Sequence, residues 1–212
     1  LSVMNDISPD CVAVAFYLRA PTFRHRAVES YKANRHGMPD ELAQQMPVIK
    51  ELLTALGIKI VEREGFEADD ILGTLSKLCT DCGECGGQKG ECYVLTGDRD
   101  SLQLISDNVA VLLHTTKGTV KYTEEKFTED YGIAPIELID LKALMGDSSD
   151  NISGVKGIGE KTASQLIKDH HTVEQLYAAL ENGTLAATKS VLAKLEAGKA
   201  DAEQSKWLAT IV

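Results

Sequence analysis

Residues 59–79 read KIVEREGFEADDILGTLSKLC, and the change of pattern inside them decides the fold. Lys59-Ile60-Val61 is a short strand, whereas from Ala68 to Cys79 the apolar residues recur at helical spacing, with Leu72, Leu75 and Leu78 on one side. Tyr93-Val94-Leu95-Thr96 then reads as strand again. Upstream, Cys11-Val12-Ala13-Val14-Ala15-Phe16 is a nearly continuous apolar run of the length of a buried strand, and residues 40–56 are helical up to Gly57, a fitting stop. Downstream, residues 109–113 form a fourth strand. Strands alternating with helices predict an α/β fold with a parallel central sheet flanked by helices. From Thr123 onward the pattern is helical, over 123–131, 136–145, 161–169 and 185–196. Composition shifts at Gly146, so the expected division is an α/β body at 1–145 and a helical appendix at 146–212.

The 212 residues suit one domain, or one domain with a small appendix. With 43% hydrophobic and 25% charged residues the composition is that of a soluble globular protein. No apolar run approaches the ~20 residues a bilayer span needs, and the start does not resemble a signal peptide, so a cytoplasmic protein is expected. Leu1-Ser2-Val3-Met4-Asn5 reads like the tail of a helix, which suggests a fragment. A net charge of −10 by itself argues against a nucleic-acid partner. Its placement argues otherwise: seven acids lie in three tight clusters, while residues 19–36 carry Arg19, Arg24, Arg26, Lys32 and Arg35 against a single Glu29.

The first cluster, Glu67-Ala68-Asp69-Asp70, follows a strand and opens a helix. One acid there would suit the helix dipole, but three in four residues repel unless a cation sits between them. The second, Asp98-Arg99-Asp100, follows strand 93–96; Asp100 suits an N-cap for a helix at 101–105, which leaves Asp98 over. The third, Asp147-Ser148-Ser149-Asp150, also reads as a plain polar turn. Ligands of open α/β sheets bind beyond the carboxyl ends of the strands, where the first two clusters fall. Up to seven hard oxygen donors converging on one cleft suit Mg²⁺ or Mn²⁺ and lean towards a metal-dependent phosphodiesterase.

Residues 154–163, GVKGIGEKTA, place Gly157-x-Gly159 before a helix, where backbone N–H groups and the helix dipole face an anion. With Ile158 packed inward and Lys156 and Lys161 alongside, the turn suits contacts to a nucleic-acid backbone; a tight inter-helix turn is the plainer alternative. Arg24, Lys32 and Arg35 are candidates to neutralise a phosphate near the metals, against the alternative of a solvated loop. Five cysteines include Cys79, Cys82, Cys85 and Cys92. That spacing admits zinc, although structural zinc usually takes two separated pairs, and a glycine-rich loop that carries thiols remains open.

These residues resemble the 5′-nuclease (flap endonuclease) family, especially the 5′→3′ exonuclease domain of bacterial DNA polymerase I. The likeness runs in order through Thr22-Phe23-Arg24, Tyr31-Lys32, Glu67-Ala68-Asp69-Asp70, Thr96-Gly97-Asp98-Arg99-Asp100, Gln103-Leu104, Tyr131-Gly132, Leu144-Met145-Gly146-Asp147-Ser148-Ser149-Asp150-Asn151-Ile152 and residues 154–163. It implies structure-selective hydrolysis of branched or nicked duplex DNA by two Mg²⁺ or Mn²⁺ ions; whether a polymerase domain shares the intact chain is left open. By motif position Glu67, Asp69, Asp70, Asp98 and Asp100 would serve the first ion and its surroundings, and Asp147 and Asp150 the second, with Asp98 or Asp100 bridging. Arg24 and Lys32 would act in catalysis by steering the phosphate. With Arg35, Gly154, Lys156, Gly157, Gly159, Lys161 and Thr162 they would bind DNA through a helix-hairpin-helix, with K⁺ seated in the turn. Two departures stand out. Phe16-Tyr17 replaces the family's Phe-Asp, putting a phenol where relatives have a metal-site carboxylate. A further strand expected some dozens of residues upstream, with another essential Asp, is not in the sequence, so the middle of the sheet should lack a partner. Asn151-Ile152-Ser153, where relatives usually have Pro, affects only a turn. The alternative is a DNA-structure binder without catalysis.

Overall fold

The computed structural model describes residues 2–35, 37–81 and 90–212. In chain order the elements are α1 (Ser2–Ile7), β1 (Ala13–Phe16), α2 (Phe23–Ala27), α3 (Asp40–Ala55), β2 (Lys59–Glu62), α4 (Ala68–Asp81), β3 (Cys92–Thr96), β4 (Val109–Thr115), β5 (Gly118–Tyr122), α5 (Glu124–Tyr131) and α6 (Leu138–Met145), followed by α7 (Glu160–His170), α8 (Val173–Glu181), α9 (Lys189–Ala197) and α10 (Lys199–Ala209). The expected α/β fold with a helical C-terminal part is what forms.

The strands divide between two sheets. β1 and β2 pair in parallel, with Ala13 opposite Lys59 and Phe16 opposite Glu62. β3 and β4 pair in parallel from Cys92–Val109 to Thr96–Leu113, and β4 continues into antiparallel β5. β5 escaped the sequence reading because Gly118-Thr119-Val120-Lys121-Tyr122 is mostly polar and almost wholly exposed. It forms because the chain folds straight back after Thr115, whose hydroxyl donates to the Gly118 carbonyl at 3.0 Å. The helix expected at 101–105 is a 3₁₀ segment, Arg99–Leu104.

The main core joins Val94 and Val111 of the larger sheet to Phe127, Leu141, Leu144, Ile167, Leu176 and Leu195 of the helices. At ~25 cal/mol per Å² of apolar area, this shared core binds α5–α9 to β3–β5. By contrast α3 buries no residue, and Leu42, Ile49 and Leu52 along it are exposed. No helix is long and apolar enough to cross a membrane, among the described residues.

α6 ends at Gly146, and the chain turns back so that the Val155 amide donates to the Leu144 carbonyl at 2.8 Å. Gly154 sits in this crossing with φ 61°, and a Cβ there would fall 2.2 Å from the Gly146 nitrogen. No other residue type fits.

Candidate active site

The first acidic cluster is split by the start of α4. Asp70, in the first turn, reaches back to accept the Glu67 backbone N–H at 2.9 Å, as the third residue of a capping box does. Its two oxygens also receive Nη1 and Nη2 of Arg24, both at 2.8 Å, and Oδ1 takes the Val212 amide at 3.1 Å. Burial pushes the Asp70 carboxyl up; the Arg24 hydrogen bonds and charge, with the two amides, more than reverse this and hold it below the ordinary range. Arg24 is 2% exposed. Its Nε donates to the Leu208 carbonyl at 3.0 Å and its Nη2 to the Thr210 carbonyl, capping the C-terminal end of α10. Gln103 completes the clasp, donating to the Ala209 carbonyl at 3.0 Å and accepting the Ile211 amide at 2.9 Å. The Trp207 ring meets Phe23 edge-on at 5.5 Å.

Asp69 and Glu67 point elsewhere. Asp69 accepts the Ser101 hydroxyl at 3.0 Å and is otherwise raised, first by burial and then by the neighbouring charge of Asp98. Glu67 Oε2 accepts Lys32 Nζ at 2.7 Å and the Tyr31 hydroxyl at 3.1 Å, while its buried Oε1 has no hydrogen-bond partner among the described residues. Lys32 adopts φ 55°, and its amide donates to the Asp150 carbonyl at 2.9 Å. A non-glycine residue pays conformational strain there, which the surrounding contacts must overcome. They set Nζ between Glu67 and Asp150, 3.4 Å from the latter. Tyr31 is buried beneath, its hydroxyl directed at Glu67 and, at 3.5 Å, Asp150, and burial raises its pKa. Arg35, whose side chain is half exposed, pairs with Asp150 from outside.

The second and third clusters meet through Lys142 of α6. Its ammonium is buried and contacts Asp100 and, at 2.6 Å, Asp147. Burial raises Asp100 to about 6, against the pull of Lys142 and with the push of Asp98 and Asp147. Asp147 goes the opposite way, to about 2, because Lys142 and both donors of Ser149 outweigh its burial. The N-cap of the 3₁₀ segment is Asp98 and not Asp100: Asp98 Oδ1 accepts the Asp100 amide at 3.0 Å, leaving Asp100 free to face Lys142.

Glu67, Asp69, Asp70, Asp98, Asp100 and Asp150 therefore line one cleft with Arg24, Tyr31 and Lys32, closed on one side by Leu208, Ala209 and Ile211. Its free volume is about 20 Å³, room for one water-sized occupant. Among the described residues no three His, Cys, Asp or Glu side chains already surround one point. Lys32 and Lys142 stand between the carboxylates instead. Tyr17 lies at the margin, 46% exposed, with its phenol pushed up by burial and by the charge of Glu67 and so kept neutral.

Three expected ligand-facing residues have partners within the protein, the first being Asp70, held by Arg24 and two backbone amides. The Arg24 guanidinium is buried, and its hydrogen bonds go to Asp70 and to the end of α10. Gly154 is buried too, and its amide donates to Ser205 Oγ at 3.0 Å. The rest of the turn behaves as a docking surface requires: Val155 and Ile158 are buried, while Lys156, Gly157, Gly159 and Lys161 are exposed and Thr162 is half-buried. A cation already meets this turn, since Lys194 Nζ donates to the Gly157 carbonyl at 3.0 Å. Cys82 and Cys85 of the zinc reading lie outside the described residues.

Sequence reasoning missed Lys142, Ser101 and the C-terminal clasp. Lys142 had a signal: with Asp140 it is one of two charges in the otherwise apolar Leu-Ile-Asp-Leu-Lys-Ala-Leu-Met helix, and a buried charge demands a partner. The clasp had none, because it depends on backbone carbonyls meeting Arg24 from 184 residues away.

Comparison with known proteins settles the family. Residues 1–132 match the 5′-3′ exonuclease N-terminal resolvase-like domain, and residues 133–212 match the 5′-3′ exonuclease C-terminal SAM fold. The chain belongs to the 5′-3′ exonuclease family. All of it aligns, at 44% identity, with 24% of the DNA polymerase I of Caldicellulosiruptor bescii. All of it also aligns, at 42% identity, with 68% of a 5′-3′ exonuclease of Bacillus subtilis. This family member thus spans about a quarter of the length of the polymerase relative. Its fold is that of the T5 5′-exonuclease solved with divalent metal ions (zinc) bound, at TM-score 0.79 and 24% identity, covering 98% of this chain and 77% of that one. A bacteriophage T5 flap endonuclease in complex with DNA and metal ions shares it at TM-score 0.77 and 23% identity, covering 98% and 76%.

Proposed function

We propose that this chain hydrolyses phosphodiesters of branched or nicked DNA as a metal-dependent 5′→3′ exonuclease and flap endonuclease. The observation that carries the proposal is the cleft where carboxylates from three separated segments converge, with Glu67 Oε1 buried and unpartnered among the described residues. A buried carboxylate oxygen without a donor costs about 1–3 kcal/mol, which a bound cation would relieve. The donor set is all hard oxygen, so it fits Mg²⁺ or Mn²⁺. Glu67, Asp69, Asp98 and Asp100 would hold one ion and Asp147 and Asp150 a second; Asp70 is assigned to Arg24. Two such ions, when bound, would supply an activated water and charge stabilisation for the attacking and leaving oxygens.

The chain's own residues do the rest. Lys32 and Arg35, at the rim beside Asp150, are placed to receive the phosphate, and Tyr31 holds Glu67 and Asp150 in orientation. Lys156, Gly157, Gly159, Lys161 and Thr162 offer donors to a duplex backbone, which reads shape and not sequence. Any K⁺ in this turn would share the Gly157 carbonyl with Lys194. We assign residues 1–145 to the nuclease body and 146–212 to DNA binding, with a polymerase region in the intact cytoplasmic protein, as in the polymerase relatives.

Tyr17 favours a second reading, a DNA-structure binder without cleavage, because a neutral phenol replaces an acid beside Glu67. Cleavage of a labelled 5′-flap DNA with Mg²⁺, with EDTA as control, decides between them. The parent chain should cut, and Tyr17→Asp should cut faster. Flap binding without cleavage by both chains would overturn the nuclease reading in favour of the binder.

A further inference from the structure

Cys79 lies near the end of α4, and Cys92 is the first residue of β3. Cys79 Sγ donates to the Glu91 carbonyl at 3.6 Å, which sets it against the residue that precedes Cys92. Both cysteines are half-buried, and neither is in a disulfide among the described residues. The approach depends on Gly90, where a Cβ would fall 2.7 Å from the Cys79 carbonyl and 3.2 Å from its sulfur. The sequence therefore has no side chain at the position where one would drive the strand, and its thiol, away from α4.

The location gives this pair a consequence. Asp69 and Asp70 stand in the first turn of α4, which reaches Cys79 about 15 Å further on, at ~1.5 Å per residue. β3 begins at Cys92 and ends two residues before Asp98. The thiols thus join the far ends of the two elements whose near ends carry the carboxylates.

We propose that Cys79 and Cys92 form a reversible dithiol–disulfide couple, oxidised by a small-molecule disulfide, that locks α4 to β3 at the end remote from the cleft. Cys79, as its thiolate, attacks one sulfur of the reagent; the reagent's S–S bond breaks, and one reagent thiolate leaves and takes up a proton. Cys92 then gives up its proton and attacks the Cys79 sulfur, forming the internal bond and expelling the second reagent thiolate, which is protonated in turn. The two protein thiols lose two electrons and two protons, and the reagent disulfide becomes two thiols. Burial and the adjoining Cys79 push the Cys92 thiol up to about 11, which disfavours Cys92 as the first attacker, whereas its own attack in the second step is intramolecular.

The test uses the full chain with Cys82→Ser and Cys85→Ser, treated with oxidised glutathione and mapped by peptide mass spectrometry; the parent chain is mapped beside it. The expected result in both is a Cys79–Cys92 linked peptide as the major product, two hydrogens lighter and reversed by dithiothreitol. Adding Cys92→Ser should stop the reaction at a glutathione adduct on Cys79. Adducts on both cysteines without the link overturn the couple, as do links made mainly to Cys11, Cys82 or Cys85. Protection of both thiols in the purified chain, released by a zinc chelator, would assign the pair to a metal and overturn it equally.

Discussion

Asp69 and Asp70 are neighbours in sequence, stand in the same first turn of α4, and have opposite fates. Asp70 turns inward to Arg24, the Glu67 amide and the Val212 amide, and its carboxyl is held below its ordinary range. Asp69 faces Ser101 and the charge of Asp98 and is held above it. The same division repeats across the cleft, where Asp147 falls to about 2 with Lys142 and Ser149 as donors while Asp100 rises to about 6. Asp70, lowered by Arg24 and two backbone amides, is satisfied by the protein and serves its architecture. Carboxylates that are raised are under-compensated, and their free energy is available to a cation.

The largest effects should come from separating the two neighbours. Asp70→Asn leaves Arg24 buried beside a neutral amide, and breaking a buried pair in this way costs about 3–5 kcal/mol in urea unfolding. Asp69→Asn should leave stability unchanged or raised, since it removes a charge that burial disfavours, while flap cleavage falls to the level seen in EDTA. Equal stability losses for both variants would erase the distinction.

A smaller effect concerns Asp100, whose sign is opposite to that of most carboxylates. An unfolded aspartate titrates near 3.8 and folded Asp100 near 6, so between these values the folded state holds more protons. Stability therefore falls as pH rises through this window and the full cost is present above about 6. In EDTA, Asp100→Asn should gain on the parent by on the order of 2 kcal/mol between about pH 4 and pH 6.5. Asp147 does not interfere, because its contribution is complete above about 3.8 and is lost only as pH falls towards about 2. A difference that is flat across the window would contradict the placement of Asp100.

The smallest effect lies outside the cleft, at the exposed turn. Lys161→Ala should weaken duplex binding about equally for all sequences and reduce the salt slope by about 0.9. A loss confined to one sequence would contradict recognition through the DNA backbone.

What the sequence determined by itself was local and periodic. The alternation of strand and helix, the three acidic clusters and the Gly157-x-Gly159 turn needed only spacing and residue type, because each is built within about ten residues. β5 stayed hidden because its side chains face solvent and carry no apolar pattern, although its pairing with β4 satisfies its backbone. The roles inside the clusters were decided by the tertiary structure alone. Arg24 carries the charge expected at a phosphate site, yet folding brings it to Asp70 and to the end of α10, where it is buried with every guanidinium nitrogen hydrogen-bonded. Charge is written in the sequence; which partner neutralises it, and whether water or a ligand can still reach it, depends on contacts between residues 46 to 184 positions apart.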